Sequence, residues 1–191
     1  MSDWDLVLSL VSTIRHDGDG GSVDDLATVD GLAAWLTTAV PDDGPDADEE
    51  LRVRVTALRR AVRSLFARAV APDPPSKADA DTLLGVGAAL AEVNLAARAL
   101  GPPTLSWPEE GPARVRYAMP AAAPADRLLA DLARAAMGFL AGPDAARLRA
   151  CPAPRCVRYF LQGDPRQAWC KPSCGNRARV ARHYRRHHES A

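Results

Sequence analysis

Lysine is almost missing from this chain: Lys77 and Lys171 are the two present among 24 basic residues. Alanine, arginine, aspartate and proline abound instead, as a GC-rich coding bias would produce, so arginine in place of lysine carries little chemical weight by itself. No apolar run approaches the roughly 20 residues needed to cross a bilayer. The opening MSDWDLVLSLVSTIR has an apolar stretch but neither a basic leader nor a small-residue cleavage site, so it does not read as a signal peptide. Cysteine is absent from residues 1–150. In a chain read as cytosolic, clustered thiols then favour a metal over disulfides. No Ser-His-Asp or Cys-His set can be aligned either, and nothing argues for an enzyme.

What is present is distributed unevenly. A formal net charge of zero conceals a gradient: residues 1–50 carry 13 acids and one base, residues 151–191 nine Arg/Lys and two acids. A basic end of this kind points to a polyanionic partner. The alternative is internal neutralisation by the acidic end. At 191 residues the chain suits one medium domain with its own core plus a small module.

Periodicity places a short buried helix over residues 3–15, carrying Leu6, Leu8, Leu10, Val11 and Ile14. A second starts near Thr28 and turns Leu32, Trp35 and Leu36 inward. The acidic loop PDDGPDADEE leads to a third helix from about Glu49 to Val70. It sets Val55, Leu58, Val62, Leu65 and Phe66 on one face, with Arg52, Arg59 and Arg63 covering the rest. Ser76 and Asp79 resemble a capping box for a fourth helix reaching about Leu100. TLSW and RVRYAM, separated by PEEGPA, predict a β-hairpin. A last core helix, about Ala125 to Ala141, directs Leu128, Leu129, Leu132, Ala136, Phe139 and Leu140 inward.

Two motifs fail on their own requirements. GVGAAL at residues 85–90 lacks the third glycine and the preceding strand of a phosphate loop, so it reads as helix. In DGDGGSVDD, Asp17 and Asp19 fit the first and third positions of a calcium loop. Gly21 and Thr28 then fall at the fifth and twelfth, where acidic ligands belong, so a solvated turn is expected.

All four cysteines lie within 24 positions, as CPAPRC and CKPSC: Cys151 with Cys156, and Cys170 with Cys174. Two short-spaced pairs can each grasp one edge of a tetrahedral zinc ion. Proline in both knuckles lowers the entropy lost when the ligands converge, and Gly175 is expected to take a positive φ. An iron–sulfur cluster is the alternative cofactor. A rival ligand set, His183 and His187 with Cys170 and Cys174, has a short spacing and strands the first pair. Between the pairs, VRYFLQGDPRQAW reads as strand, turn, strand, with Phe160 and Trp169 as a mini-core. This end holds too little apolar area to fold alone, and zinc binding on the scale of about 10–16 kcal/mol would order it.

The run GNRARVARHYRRHH follows, with Asn176 as the expected N-cap. At about 100° per residue, Val180, Ala181 and Tyr184 fall on an inward side, with Arg179, Arg182 and Arg186 opposite. No acid occurs there before Glu189. A zinc-locked basic helix suits phosphate contacts or a major groove; the alternative partner is an acidic protein surface.

WCKPSCGNRARVARHYRRH, preceded by CPAPRC, resembles the CGNR zinc-finger family at Cys174, Gly175, Asn176 and Arg177. The resemblance covers about the last forty residues and implies that Cys151, Cys156, Cys170 and Cys174 bind one structural zinc. In that family the finger follows a mostly helical domain called ABATE, assigned to stress-induced transcription regulation. The segments DLVLSLVSTIR and DLATVDGLAAWL resemble its opening. Family members often carry an Asp-Phe-x-Asn-Thr-like stretch in the first helix. Ser9, Leu10, Val11, Ser12 and Thr13 here lack both Asp and Asn.

The expectation is a cytoplasmic, bacterial-type, mainly α (α+β) protein. Residues 1–143 would form an ABATE-like helical domain with a small hairpin, and 144–191 a four-cysteine zinc module of hairpin and basic helix. Arg177, Arg179, Arg182, Arg185 and Arg186 would contact DNA in transcription regulation. The alternative function is a zinc-stabilised protein-interaction module. The N-terminal domain would form homo-oligomers or sense a small-molecule effector, and no membrane partner is expected.

Overall fold

The structure, a computed structural model, describes residues 3–18, 21–40, 44–108, 110–118 and 123–188. Asp19, Asp42, Asp43, Glu109 and Glu189, which entered the sequence reading, lie outside the described residues. In chain order the elements are α1 (Asp3–Val11), β1 (Ile14–His16), β2 (Ser22–Asp24), α2 (Val29–Ala39), α3 (Glu49–Ala69), α4 (Val86–Ala97), β3 (Pro103–Ser106), β4 (Arg114–Tyr117), α5 (Pro124–Ala141), β5 (Leu148–Ala150), β6 (Tyr159–Leu161) and α6 (Pro172–His188). The described strands form three separate antiparallel pairs, β1–β2, β3–β4 and β5–β6. The protein is therefore mainly α with small β elements, as expected.

α3 runs through the centre. Asp48 caps it by accepting from Leu51 N at 2.7 Å, and Glu49 and Glu50 meet the positive end of its dipole. The face predicted to be apolar is buried throughout, Val55, Leu58, Val62, Leu65 and Phe66 included. Around it close Val7, Leu10 and Val11 of α1, Leu32, Trp35 and Leu36 of α2, Ala89 and Val93 of α4, and Leu128, Leu129, Leu132 and Phe139 of α5. Thr28 caps α2 through Gly31 N at 3.1 Å, matching the predicted start. No helix among the described residues is long and apolar enough to cross a membrane.

Two local expectations change. α1 ends at Val11, and the turn after it is the loop of the β1–β2 hairpin, with Gly18 at φ 107. The polar residues at the end of α1 have structural partners. Ser9 Oγ accepts from Trp35 Nε1 at 3.0 Å, and Thr13 Oγ1 donates to Leu10 O at 2.7 Å and accepts from Arg59 at 2.8 Å. The fourth helix is interrupted: Ser76 caps only a 3-10 turn at Lys77–Asp79, and α4 begins after Gly85. The cause lies in Arg63.

Arg59 and Arg63 do not cover the surface of α3; they are 5% and 2% exposed. Arg59 grips both carboxylate oxygens of Asp24 at 2.6 Å. Arg63 donates to Asp79 Oδ1 at 2.7 Å, to Val11 O at 2.6 Å and to Ser76 Oγ at 3.0 Å. A buried ion pair persists only when its remaining donors and acceptors are satisfied. The 3-10 turn satisfies this one, holding Asp79 at the guanidinium instead of continuing as helix.

Candidate metal centre

The β5–β6 hairpin builds the first half of the centre. Leu148 pairs with Leu161, Arg149 with Phe160 and Ala150 with Tyr159, and the ladder continues through Cys151 N to Arg158 O at 2.9 Å. Cys151 and Cys156 thus sit in the loop at the tip. A turn from Cys156 N to Ala153 O at 3.1 Å closes it, with Arg155 at φ 60. This left-handed residue lies inside the knuckle, where no glycine marks it.

The second half is the entry into α6. Cys174 N donates to Lys171 O at 3.0 Å, so Cys170 immediately precedes the first turn and Cys174 lies in it. The helix begins at Pro172, four residues ahead of the expected N-cap. Asn176 is inside it, its Oδ1 accepting from the Arg179 guanidinium. Gly175 is helical and has no positive φ. Its hydrogen faces the Trp169 ring, and a Cβ there would stand 3.0 Å from Trp169 Cδ1.

The four sulfurs lie within 4.8 Å of one another, and Cys151, Cys156 and Cys174 are buried. Cys156 Sγ to Cys170 Sγ is 3.7 Å and Cys170 Sγ to Cys174 Sγ is 3.5 Å. A disulfide would bring a pair to about 2.05 Å. A tetrahedron with zinc–sulfur bonds of about 2.3 Å has edges of about 3.8 Å. The spacing is that of four ligands around one ion.

Electrostatics agree. Hydrogen bonds from Cys156 and Cys170 pull the Cys151 thiol well down, while the bonds of Cys170 with Cys151 and Cys156, with burial, push Cys170 far up. Cys156 is raised by its bond with Cys151. Four adjacent thiols cannot all ionise without a cation, and a divalent ion removes that restriction. Arg177 donates from its terminal nitrogen to Cys174 Sγ at 3.2 Å, a contact that helps offset thiolate charge.

Phe160, with Ala153, forms the buried core around the cysteines, and Trp169 packs against it, as the sequence suggested. The strand pairing differs. β6 pairs backward with β5, ahead of the first cysteine, and residues 162–167 form a turn closed by Gln167 N to Asp164 O at 2.8 Å. The module also leans on the helical domain. Leu148 and Tyr159 are part of the main core. Tyr159 donates to Asp79 Oδ2 at 2.7 Å and meets Phe66 edge-on at 5.5 Å. Ser76 Oγ donates to Val157 O at 2.8 Å. Sequence reasoning did not select Tyr159, because alternation marks a strand face without showing what covers it.

Along α6, Cys174 and Ala178 are buried and Arg177 half-buried. Val180, expected inward, is 54% exposed and Tyr184 62%. Arg179, Arg182, His183, Arg185 and Arg186 are exposed as well. The arginines named from sequence thus divide. Arg179, Arg182, Arg185 and Arg186 share the open part of α6, whereas Arg177 turns to Cys174.

A mainly helical domain bearing a four-cysteine, zinc-binding finger with a basic terminal helix defines the class. Two family models match the chain, one described as "Putative stress-induced transcription regulator" (ABATE) over residues 5–143 and one as the CGNR zinc finger over residues 147–187. The chain belongs to the ABATE family and carries a CGNR zinc finger that suits one structural zinc ion. No curated protein matches it.

Proposed function

We propose that this protein is a cytoplasmic DNA-binding transcription regulator in which zinc holds α6 out for contact with the duplex. The observation that carries this reading is the open part of α6. Arg179, Arg182, Arg185 and Arg186 are exposed on it, no acid precedes Glu189, and one end is anchored by Cys174. Exposed guanidiniums on a rigid helix suit phosphate oxygens and, where they reach them, guanine edges. Four thiolates leave zinc no open position, so its role is structural and no catalysis is assigned.

The test is a salt titration of duplex-DNA affinity. With four phosphate contacts, log K should fall against log salt with a slope of about −4, and Arg182→Ala should reduce that slope by about 1. Absence of binding to duplex DNA at low salt would sink the reading. Exposed Val180 and Tyr184 on the same helix favour a second one, docking on an acidic protein surface.

A further inference from the structure

A recess of 410 Å³ lies where the end of β1, with Asp17 and Gly18 after it, meets the finger. One wall is Arg15 to Gly18; the other is Arg155 to Arg158 with Lys171 and Arg177. Five of its lining residues are permanent cations, and not all of them are available. Arg15 is held by Asp25 at 2.6 Å and Arg177 contacts the Cys174 sulfur. Asp17, also in the lining, accepts from Gly21 N and lies 3.3 Å from His16 Nδ1. Arg155, Arg158 and Lys171 remain. Arg155 reaches only a carbonyl, Gly18 O at 3.4 Å, and Arg158 and Lys171 make no ion pair among the described residues.

A second observation concerns the guanidinium at the finger side of the recess. Arg177 Nε is buried with no hydrogen-bond partner among the described residues. The positive end of the α6 dipole also begins beside Lys171. The contrast with the larger cavity of 680 Å³ beside α3 is informative. There Arg59 and Arg63 are satisfied by Asp24 and Asp79, and Arg60 donates to Thr82 O at 2.6 Å. In the recess at the finger, by contrast, Arg158 and Lys171 present positive charge without an ion pair among the described residues in a concave, ligand-sized space, where low-dielectric walls concentrate the field.

We infer that this recess binds a phosphoryl group, gripped between Arg155, Arg158 and Lys171. Arg15 to Gly18 form its opposite rim, so an occupant touches the helical domain and the finger at once. The group can belong to a free phosphorylated small molecule or to a backbone phosphate of bound DNA. The inference does not depend on α6 binding DNA.

Pyrophosphate titrated calorimetrically into the zinc-loaded full chain at constant ionic strength is the first arm. Binding is expected, weakened about tenfold by Arg158→Ala and by Lys171→Ala, roughly one charge-assisted hydrogen bond each. Arg158→Lys should recover part of the loss, and Arg166→Ala, outside the recess, should change nothing. Unaltered zinc content and circular dichroism establish that each variant is folded. The second arm measures duplex-DNA affinity of the same variants. Pyrophosphate binding that leaves DNA affinity unchanged identifies a free ligand. Competition with DNA, or loss of DNA affinity in Arg158→Ala without pyrophosphate binding, identifies a backbone phosphate. No pyrophosphate binding together with wild-type DNA affinity in both variants overturns the inference. Failure of DNA binding alone overturns only the function proposed above.

Discussion

Tyr159 carries the shortest contact between the zinc module and the buried charges of the helical domain, where Arg63 also donates to Val157 O at 3.5 Å. Its hydroxyl donates to Asp79, whose other oxygen is held by Arg63, and both charged side chains are 2% exposed. Burial and the Asp79 bond push the Tyr159 pKa upward from its ordinary value near 10. The folded state therefore keeps that proton at pH values where the unfolded chain loses it. This contribution is complete below about pH 10 and is lost as pH rises beyond, by at most about 1.4 kcal/mol per pH unit. Tyr159→Phe should cost about 1.5–3 kcal/mol at neutral pH, the range for a hydrogen bond to a charged group. It should also flatten the alkaline decline. Denaturant melts at pH 7 and at pH 10–11 measure both, and a variant as stable as wild type at pH 7 would contradict the assignment. At the metal, Cys156→Ser removes one tetrahedral ligand and should lower zinc retained on purification below one ion per chain, read by elemental analysis.

Among the elements, α2 shows how a local preference is overruled. Gly31 lies in its first turn, where alanine would normally favour a helix by about 1 kcal/mol. A Cβ on Gly31 would sit 2.0 Å from the carbonyl oxygen of Asp25, a backbone atom that cannot swing aside. Gly31→Ala should therefore destabilise, against the propensity scale, and thermal melts give the sign directly. α6 presents the opposite situation. Its spacing was readable as one apolar and one basic side, yet the helix has a buried neighbour only near Cys174 and Ala178, and Val180 and Tyr184 are left open. A hydrophobic pattern states which side would prefer cover. It does not supply the covering element.

Across the whole molecule, the finger and the helical domain share one core. Leu148 and Tyr159 are packed with Phe66 and its neighbours, so removing zinc should loosen more than the cysteine loops. Chelation followed by hydrogen exchange should show lost protection in α6 and also around Phe66 and Asp79. Loss confined to 151–188 would mean that the domain holds without its metal-bound part. The presence of each helix, though not every boundary, the β3–β4 hairpin and the four ligands were legible because each rests on spacing within a few residues: 3.6-residue periodicity, alternation, paired cysteines. Arg59 and Arg63 were not, since a long cationic side chain on a helix edge normally faces water and turns inward only when a distant carboxylate meets it. The same holds for Tyr159, for the glycine-free left-handed turn at Arg155, and for the recess between Arg158 and the end of β1. The sequence by itself determined the position of most helices and the ligand set of the metal site. Tertiary structure alone decided which charges are buried and which stay open, because that depends on partners brought together from residues far apart in the chain.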